Sequence, residues 1–518
     1  MRAIHGIIAN ANKVGAAPAA NFKLTFKNTA TNAVIYQDDS LDAMMSFIGS
    51  YSITAPMTLQ FNTSDTFTVA TPLEFGFNNA NNLFTAKAKT GQIPVINGNN
   101  AMPSVGIISM NNLVLDGVKF INADSTDSGG AIIRVLTNTR NITVKNVAFK
   151  GGYCAMRATG SLDNSGNVSS YIDGLTIKDC TVEDTVNGSF RLGNGDAYGL
   201  PATSNFSLRT TGYYDVRNVT IENIKLIDNF NKGVITGQSG GFMGMMILKR
   251  ILNLTVKNVV CNNTSDSILI LEASTNININ KLVCNNFGFR GVSDTQGIYI
   301  TDGDGVTITN SIVKANADGV GKIITGMFNV KGLNAYHNTF AYTNYNDTPF
   351  FADKLALVRL VGNIFKSSGA STPCTMSFTT ANGYVPSIAQ DLIEENYNVF
   401  CSDGTYNVNL TLFSSPTSGV VDTEVQINST GSKITPATYR STYNKGANSV
   451  FTTDTSVLFS SRTNPDGSTS YPLYVDDTKQ GRDLIPSIQK LVDVDAFGFV
   501  RTFPTDAGAT DRDAVVLG

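Results

Sequence analysis

Lys249 and Arg250 stand side by side in a chain that is sparing with charge, only 15% Asp, Glu, Lys and Arg. The two types suit proton abstraction next to a carboxylate. A basic group removes the alpha proton, while a cation or guanidinium neutralises the carboxylate so that the carbanion becomes accessible. Arg191 and Arg209, upstream, are further guanidinium candidates. Hydrolysis of a glycosidic bond asks instead for two carboxyl groups about 5 to 9.5 Å apart. Asp196, Asp266, Glu272, Asp302 and Asp304 offer members for such a pair, although an Asp in a turn-rich chain more often caps a turn. Tyr198, Tyr213 and Tyr214 offer ring faces to a sugar in a chain with 18 Tyr and no Trp. Packing within their own loop is the plainer reading of those rings.

The run TDGDG, Thr301 to Gly305, brings two carboxylates close enough for a calcium loop, but it lacks the 12-residue frame and final Glu of an EF-hand. Its place just before an apolar alternation makes it a coil turn. No metal site is assigned and no cofactor is expected; calcium at TDGDG is the one exception the residues leave open.

These candidates lie in and between copies of a repeat, which decides how they are positioned. The register is apolar-x-apolar-x-(Asn/Asp/Gly)-x-x-apolar. Copies begin at Leu113, Ile142, Leu175, Val219, Leu254, Ile277, Val306, Leu333 and Val358, spaced 23 to 44 residues apart. Alternation at the first and third positions predicts a strand. The fifth position reads Gly117, Asn146, Asp179, Asn223, Asn258, Lys281, Asn310, His337 and Gly362, types that mostly tolerate a left-handed corner. Lys281 and His337 depart from that preference. The eighth position, from Phe120 to Phe365, forms an internal column when copies stack.

Two short strands around a corner, repeated nine times, predict an all-β chain, a right-handed parallel β-helix solenoid. The longest intervals carry inserted loops. One holds Glu183, Arg191, Asp196, Tyr198, Arg209, Tyr213, Tyr214 and Asp215; the next holds Lys232, GQSGGFMGMM, Lys249 and Arg250. A solenoid needs covered ends. Residues 1–70 are expected to form an N-terminal cap, 71–370 the β-helix, and 371–518 β-rich C-terminal coils with a closing segment. Within the cap, SLDAMMSFIG predicts a helix with Ser40 as its N-cap.

On these nine copies the chain resembles the pectate-lyase-like superfamily of right-handed β-helices, over about residues 70 to 370. DAFGFVRTFPTDAGA, from Asp495, is similar to the closing segment of secreted β-helix proteins of Bacteroidota type. That resemblance implies a structural closure with Arg501 paired to an acidic residue. The superfamily hosts lyases, hydrolases, tailspikes and adhesins, so fold alone does not assign activity. Its chondroitinase-B and alginate-lyase type carries calcium on closely spaced glutamates before a catalytic Lys; the seven Glu here lack that spacing. Its polygalacturonase type needs a Gly-His-Gly motif, and neither His5 nor His337 sits in one.

Net charge is −3, which together with the lack of a basic run excludes nucleic acid as a partner class, and no apolar run is of membrane-spanning length. Of the six Cys, Cys180, Cys261 and Cys284 fall at strand positions and read as small buried hydrophobes, so free thiols are expected over bridges. No signal peptide is visible at the N-terminus. The reading that follows is a surface or virion protein, resembling phage tailspikes and fibres, that binds a polysaccharide or cell-surface glycan or serves as a structural spike. As in tailspikes, a homotrimer is expected. The alternative is a polysaccharide-cleaving lyase or depolymerase.

Overall fold

The computed structural model describes residues 22–127, 129–162, 168–186, 188–193, 213–227, 244–264, 267–287, 297–315, 323–342, 348–367, 372–379, 387–402, 408–413, 423–427, 434–454, 462–463, 469–470, 484–486, 492, 495–496, 501 and 505–508. Three parallel ladders run along it, and each coil gives one strand to each, as in Leu113–Asp116, Lys119–Ile121 and Ile133–Val135. The chain is a right-handed parallel β-helix.

The first ladder places Leu113, Ile142, Leu175, Val219, Leu254, Ile277, Val306 and Leu333 side by side, in the register read from the sequence. It continues upstream through Phe84 and Met57. The second stacks Phe120, Phe149, Val182, Leu226, Cys261, Cys284, Val313, Phe340 and Phe365, and runs on through Phe400 and Phe451. Phe340, Phe365, Phe400 and Phe451 stack ring on ring, with centroids 5.1 to 5.5 Å apart. This spacing follows from the distance of about 4.8 Å between hydrogen-bonded strands.

All nine fifth-position residues adopt positive φ, between 50° and 74°. Lys281 and His337 therefore break the residue preference and not the geometry. A left-handed conformation costs a residue with a Cβ about 1–2 kcal/mol, so the stack on either side must hold these two in place. The position just before the first residue of the repeat is a second left-handed corner, at Asn112, Asn141, Asn218, Asn253 and Asn276 among others. There Asn141 donates to Asn112 and Asn276 to Asn253, at 2.8 and 3.0 Å. A further ladder is buried: Asn338 donates to Asn363 and Asn363 to Asn398, both at 3.0 Å. Inside the stack such amides stay only because their neighbours satisfy them.

The helix Leu41–Ser50 forms, with the Ser40 hydroxyl accepting from the Ala43 amide. Met44 and Ile48 pack into the same core as Phe26, Met57 and Phe84. Strand Leu24–Asn28 pairs antiparallel with Val34–Asp38 and with Met57–Phe61, closing the first coil. At the other end Tyr439, from helix Pro436–Tyr443, is buried against Phe451. All six cysteines are buried thiols. Among the described residues no helix is long and apolar enough to cross a membrane.

The described residues of the closing segment lie against the outside of the late coils as a strap. Ala496 and Ala507 pack on Val283, Ile312, Ile364 and Val399, which point outward from the second sheet. Earlier coils carry Lys119, Thr181 and Lys225 at the equivalent outward place, exposed or half-exposed. Arg501 donates to Asn310 Oδ1, Thr505 Oγ1 and the Gly508 carbonyl at 3.2, 3.3 and 3.0 Å.

Candidate functional site: the outer face of the third sheet

The third sheet is built of short strands whose flanking residues point into the core and whose middle residue points out. Ile133-Arg134-Val135, Met156-Arg157-Ala158 and Phe190-Arg191-Leu192 repeat this pattern on three successive coils. Arg134 is in register with Arg157, and Arg157 with Arg191. Parallel in-register strands set the three guanidinium stems about 4.8 Å apart in one column along the solenoid axis. Arg134 is exposed; Arg157 and Arg191 are half-buried. The Arg191 guanidinium lies 5.2 Å from the centre of the buried Tyr153 ring, and Arg157 Nη1 donates to the Gly129 carbonyl at 3.0 Å.

The column continues through Ile247, Ile270 and Tyr299. Two residues along each strand lies a second outward row, in which Lys249 is in register with Glu272, and Glu272 with Thr301. Lys249 and Glu272 form an ion pair at 2.7 Å, largely shielded from solvent. Beyond it Tyr299, Phe328 and Phe351 form a half-buried aromatic cluster with centroids 5.4 and 5.7 Å apart. At the corner leading from this sheet to the first, Tyr171 carries the Arg217 guanidinium 3.7 Å from its ring centre and that of Arg140 at 5.6 Å. Five arginines thus crowd the early coils of a chain whose net charge is −3. Two unit charges at this spacing repel by about 1 kcal/mol even in water, so an anion laid along the column is attracted by several groups at once.

Of the residues singled out from the sequence, the fold brings Arg191, Lys249 and Glu272 onto this face. Arg250 turns the other way. It sits at φ 51°, is buried, and donates from Nε and Nη2 to the Tyr213 carbonyl at 3.0 and 2.6 Å while covering the Tyr213 ring. Tyr214 is buried with its hydroxyl 2.6 Å from Thr275 Oγ1. Those two tyrosines and Arg250 lock a corner together. Asp302 occupies a left-handed corner, φ 54°, and accepts from Asn329 Nδ2. Asp304 opens a first-sheet strand, in register with Thr275 and Lys331. Asp196, Tyr198, Arg209 and Asp266 lie outside the described residues. Arg134 and Arg157 were not singled out from the sequence, although the apolar-Arg-apolar triplet shared with Arg191 carries the signal.

No protein-family model and no curated protein matches the sequence. Among solved structures the chain is similar to pectate lyase Pel9A, at 12% identity over 94% of each chain, with a TM-score of 0.31. It is also similar to tailspike protein 3 of bacteriophage CBA120, at 14% identity and a TM-score of 0.24, over 79% of this chain and 63% of that one. The parallel β-helix architecture rests on this chain's own three ladders.

Proposed function

We propose that this chain is a surface or virion β-helix protein that binds an acidic glycan lengthwise along the outer face of its third sheet. The observation that carries the reading is the in-register column Arg134, Arg157 and Arg191. A rigid row of guanidiniums at a fixed spacing suits a linear polymer with repeated anionic groups, because each sugar meets the same chemistry as the one before it. The aromatic cluster of Tyr299, Phe328 and Phe351 extends the row with apolar ring surface, on which sugar rings stack. Such a protein works outside the cell, on a virion or as a secreted spike, and assembles as a homotrimer.

The experiment is incubation with a panel of capsular and other acidic polysaccharides beside neutral ones, following binding, reducing ends and absorbance at about 232 nm together. Binding of acidic members with neither product signal is the expected result. Rising absorbance would replace it with β-elimination, with Lys249 the first residue to test; reducing ends alone would replace it with hydrolysis. No binding to any acidic member would overturn the reading. Sedimentation equilibrium tests the trimer separately.

A further inference from the structure

His337 stands at the fifth-position corner that most other coils fill with Asn, Asp or Gly. Its φ is 54°, it is fully buried, and neither ring nitrogen has a hydrogen-bond partner among the described residues. What covers this corner column is the C-terminal strap. A Cβ on Gly362, the corner one coil on, would lie 2.6 Å from Ile485 Cδ1 and 3.3 Å from His337 Nδ1, so imidazole and strap meet over that glycine. The Gly508 amide donates to the Gly362 carbonyl at 2.6 Å. One coil back, Arg501 holds Asn310. Strap contacts therefore bracket His337 on both sides along the axis.

We propose that His337 makes the strap an acid-released latch, in which protonation of the imidazole frees Ile485, Arg501 and Thr505–Gly508 from the stack. A neutral ring is tolerated beneath an apolar cover. A charged ring would be a buried cation without an acceptor, facing the Arg501 guanidinium. Around them stand Lys281 at the corner two coils back, and Asp495 and Asp506, which are buried in the strap. Tyr336 and Tyr397 pack from the coils against Ile485 and Leu484 of the strap.

Burial, and then the charge of Arg501, hold the His337 imidazole well below its usual range while the strap is docked. Once released, the ring titrates near the ordinary value of about 6.5. Below that pH the released form binds a proton that the docked form refuses, so docking weakens as pH falls, by up to about tenfold per pH unit. Release bares Val283, Ile312, Ile364 and Val399.

The test is hydrogen exchange of the full-length protein between pH 7.5 and 5, corrected for intrinsic rates and read on the amides of Ile485 and Gly508, whose bonds to Thr505 and Gly362 report docking. Wild-type protection is expected to fall by about tenfold per pH unit below about 6.5, and His337→Asn, which suits the left-handed corner, should stay flat. Should that variant not fold, exchange at the imidazole C2 position reads His337 directly in the wild type, with His5→Ala removing the other signal. A strap equally protected at pH 7.5 and 5, an equal loss in His337→Asn, or a His337 pKa at or above about 6.5 in the docked state overturns the latch.

Discussion

Arg501 Nη2 donates to Asn310 Oδ1 at 3.2 Å, tying the closing segment to a coil corner 191 residues earlier. The same guanidinium holds its own segment in shape through Thr505 and the Gly508 carbonyl. Hydrogen bonds to a charged group contribute more than neutral ones, and these are buried, so Arg501→Ala should destabilise strap docking by about 2–3 kcal/mol. Urea titration followed by proteolysis of the strap measures this; a loss below about 0.5 kcal/mol would mean that the apolar contacts alone hold it.

Thr181 and Val182 are neighbours in sequence and opposites in environment, exposed and fully buried respectively. Val182→Asp should cost several kcal/mol or abolish folding, because the charge enters the column without a partner. Phe149→Asp and Val313→Asp, in the same column, should do the same. Thr181→Asp lands beside the outward Lys225 and should stay within about 0.5 kcal/mol of wild type. Thermal unfolding of the set reads the register residue by residue, and similar losses at 181 and 182 would contradict it.

Glu395 is fully buried in the last coils, where it accepts from Ser449 Oγ and Asn398 Nδ2. Burial raises its carboxyl pKa, against those hydrogen bonds, one from Tyr439 and the charge of Arg440, which lower it. A folded-state pKa above the unfolded value means that this group's stabilisation is complete below about pH 4.5 and is lost as pH rises through the raised value. Glu395→Gln removes that dependence. Its Tm should exceed that of wild type at pH 8 and approach it at pH 4; a variant less stable at pH 8 would show that the carboxylate is needed charged.

Asp302 holds a left-handed corner and accepts from Asn329, a turn role that asparagine also fills. Asp302→Asn and Asp304→Asn should each change stability by less than about 0.5 kcal/mol, and calcium or a chelator should leave Tm unmoved. A calcium-dependent rise in Tm that disappears in both variants would instead establish a metal site at TDGDG.

Two of the three sheets were legible because each copy alternates apolar residues at fixed places around a corner with a left-handed requirement. Lys281 and His337 show that the requirement belongs to the backbone: the residue type there can depart while φ does not. The third sheet was not legible. Its strands contribute as few as two inward residues, as Met156 and Ala158, and loops of varying length separate them from the second column. Without that alignment Arg134, Arg157 and Arg191 look like scattered basic residues. The adjacent pair Lys249 and Arg250 could not be told apart either; one ends a strand facing out, while the next takes a left-handed corner and turns in. The strap did leave a trace in the sequence, in outward positions that change from Lys119, Thr181 and Lys225 to Val283, Ile312 and Ile364.

The most direct test of the glycan-binding face is to measure the affinity of wild type and of Arg134→Ala/Arg157→Ala/Arg191→Ala for the acidic polysaccharide that wild type binds best, at low and moderate salt. The exposed or half-exposed side chains can be removed with Tm nearly unchanged, while affinity should fall by at least about 100-fold and lose most of its salt dependence. Unchanged affinity in a folded triple variant would contradict the assignment of this face.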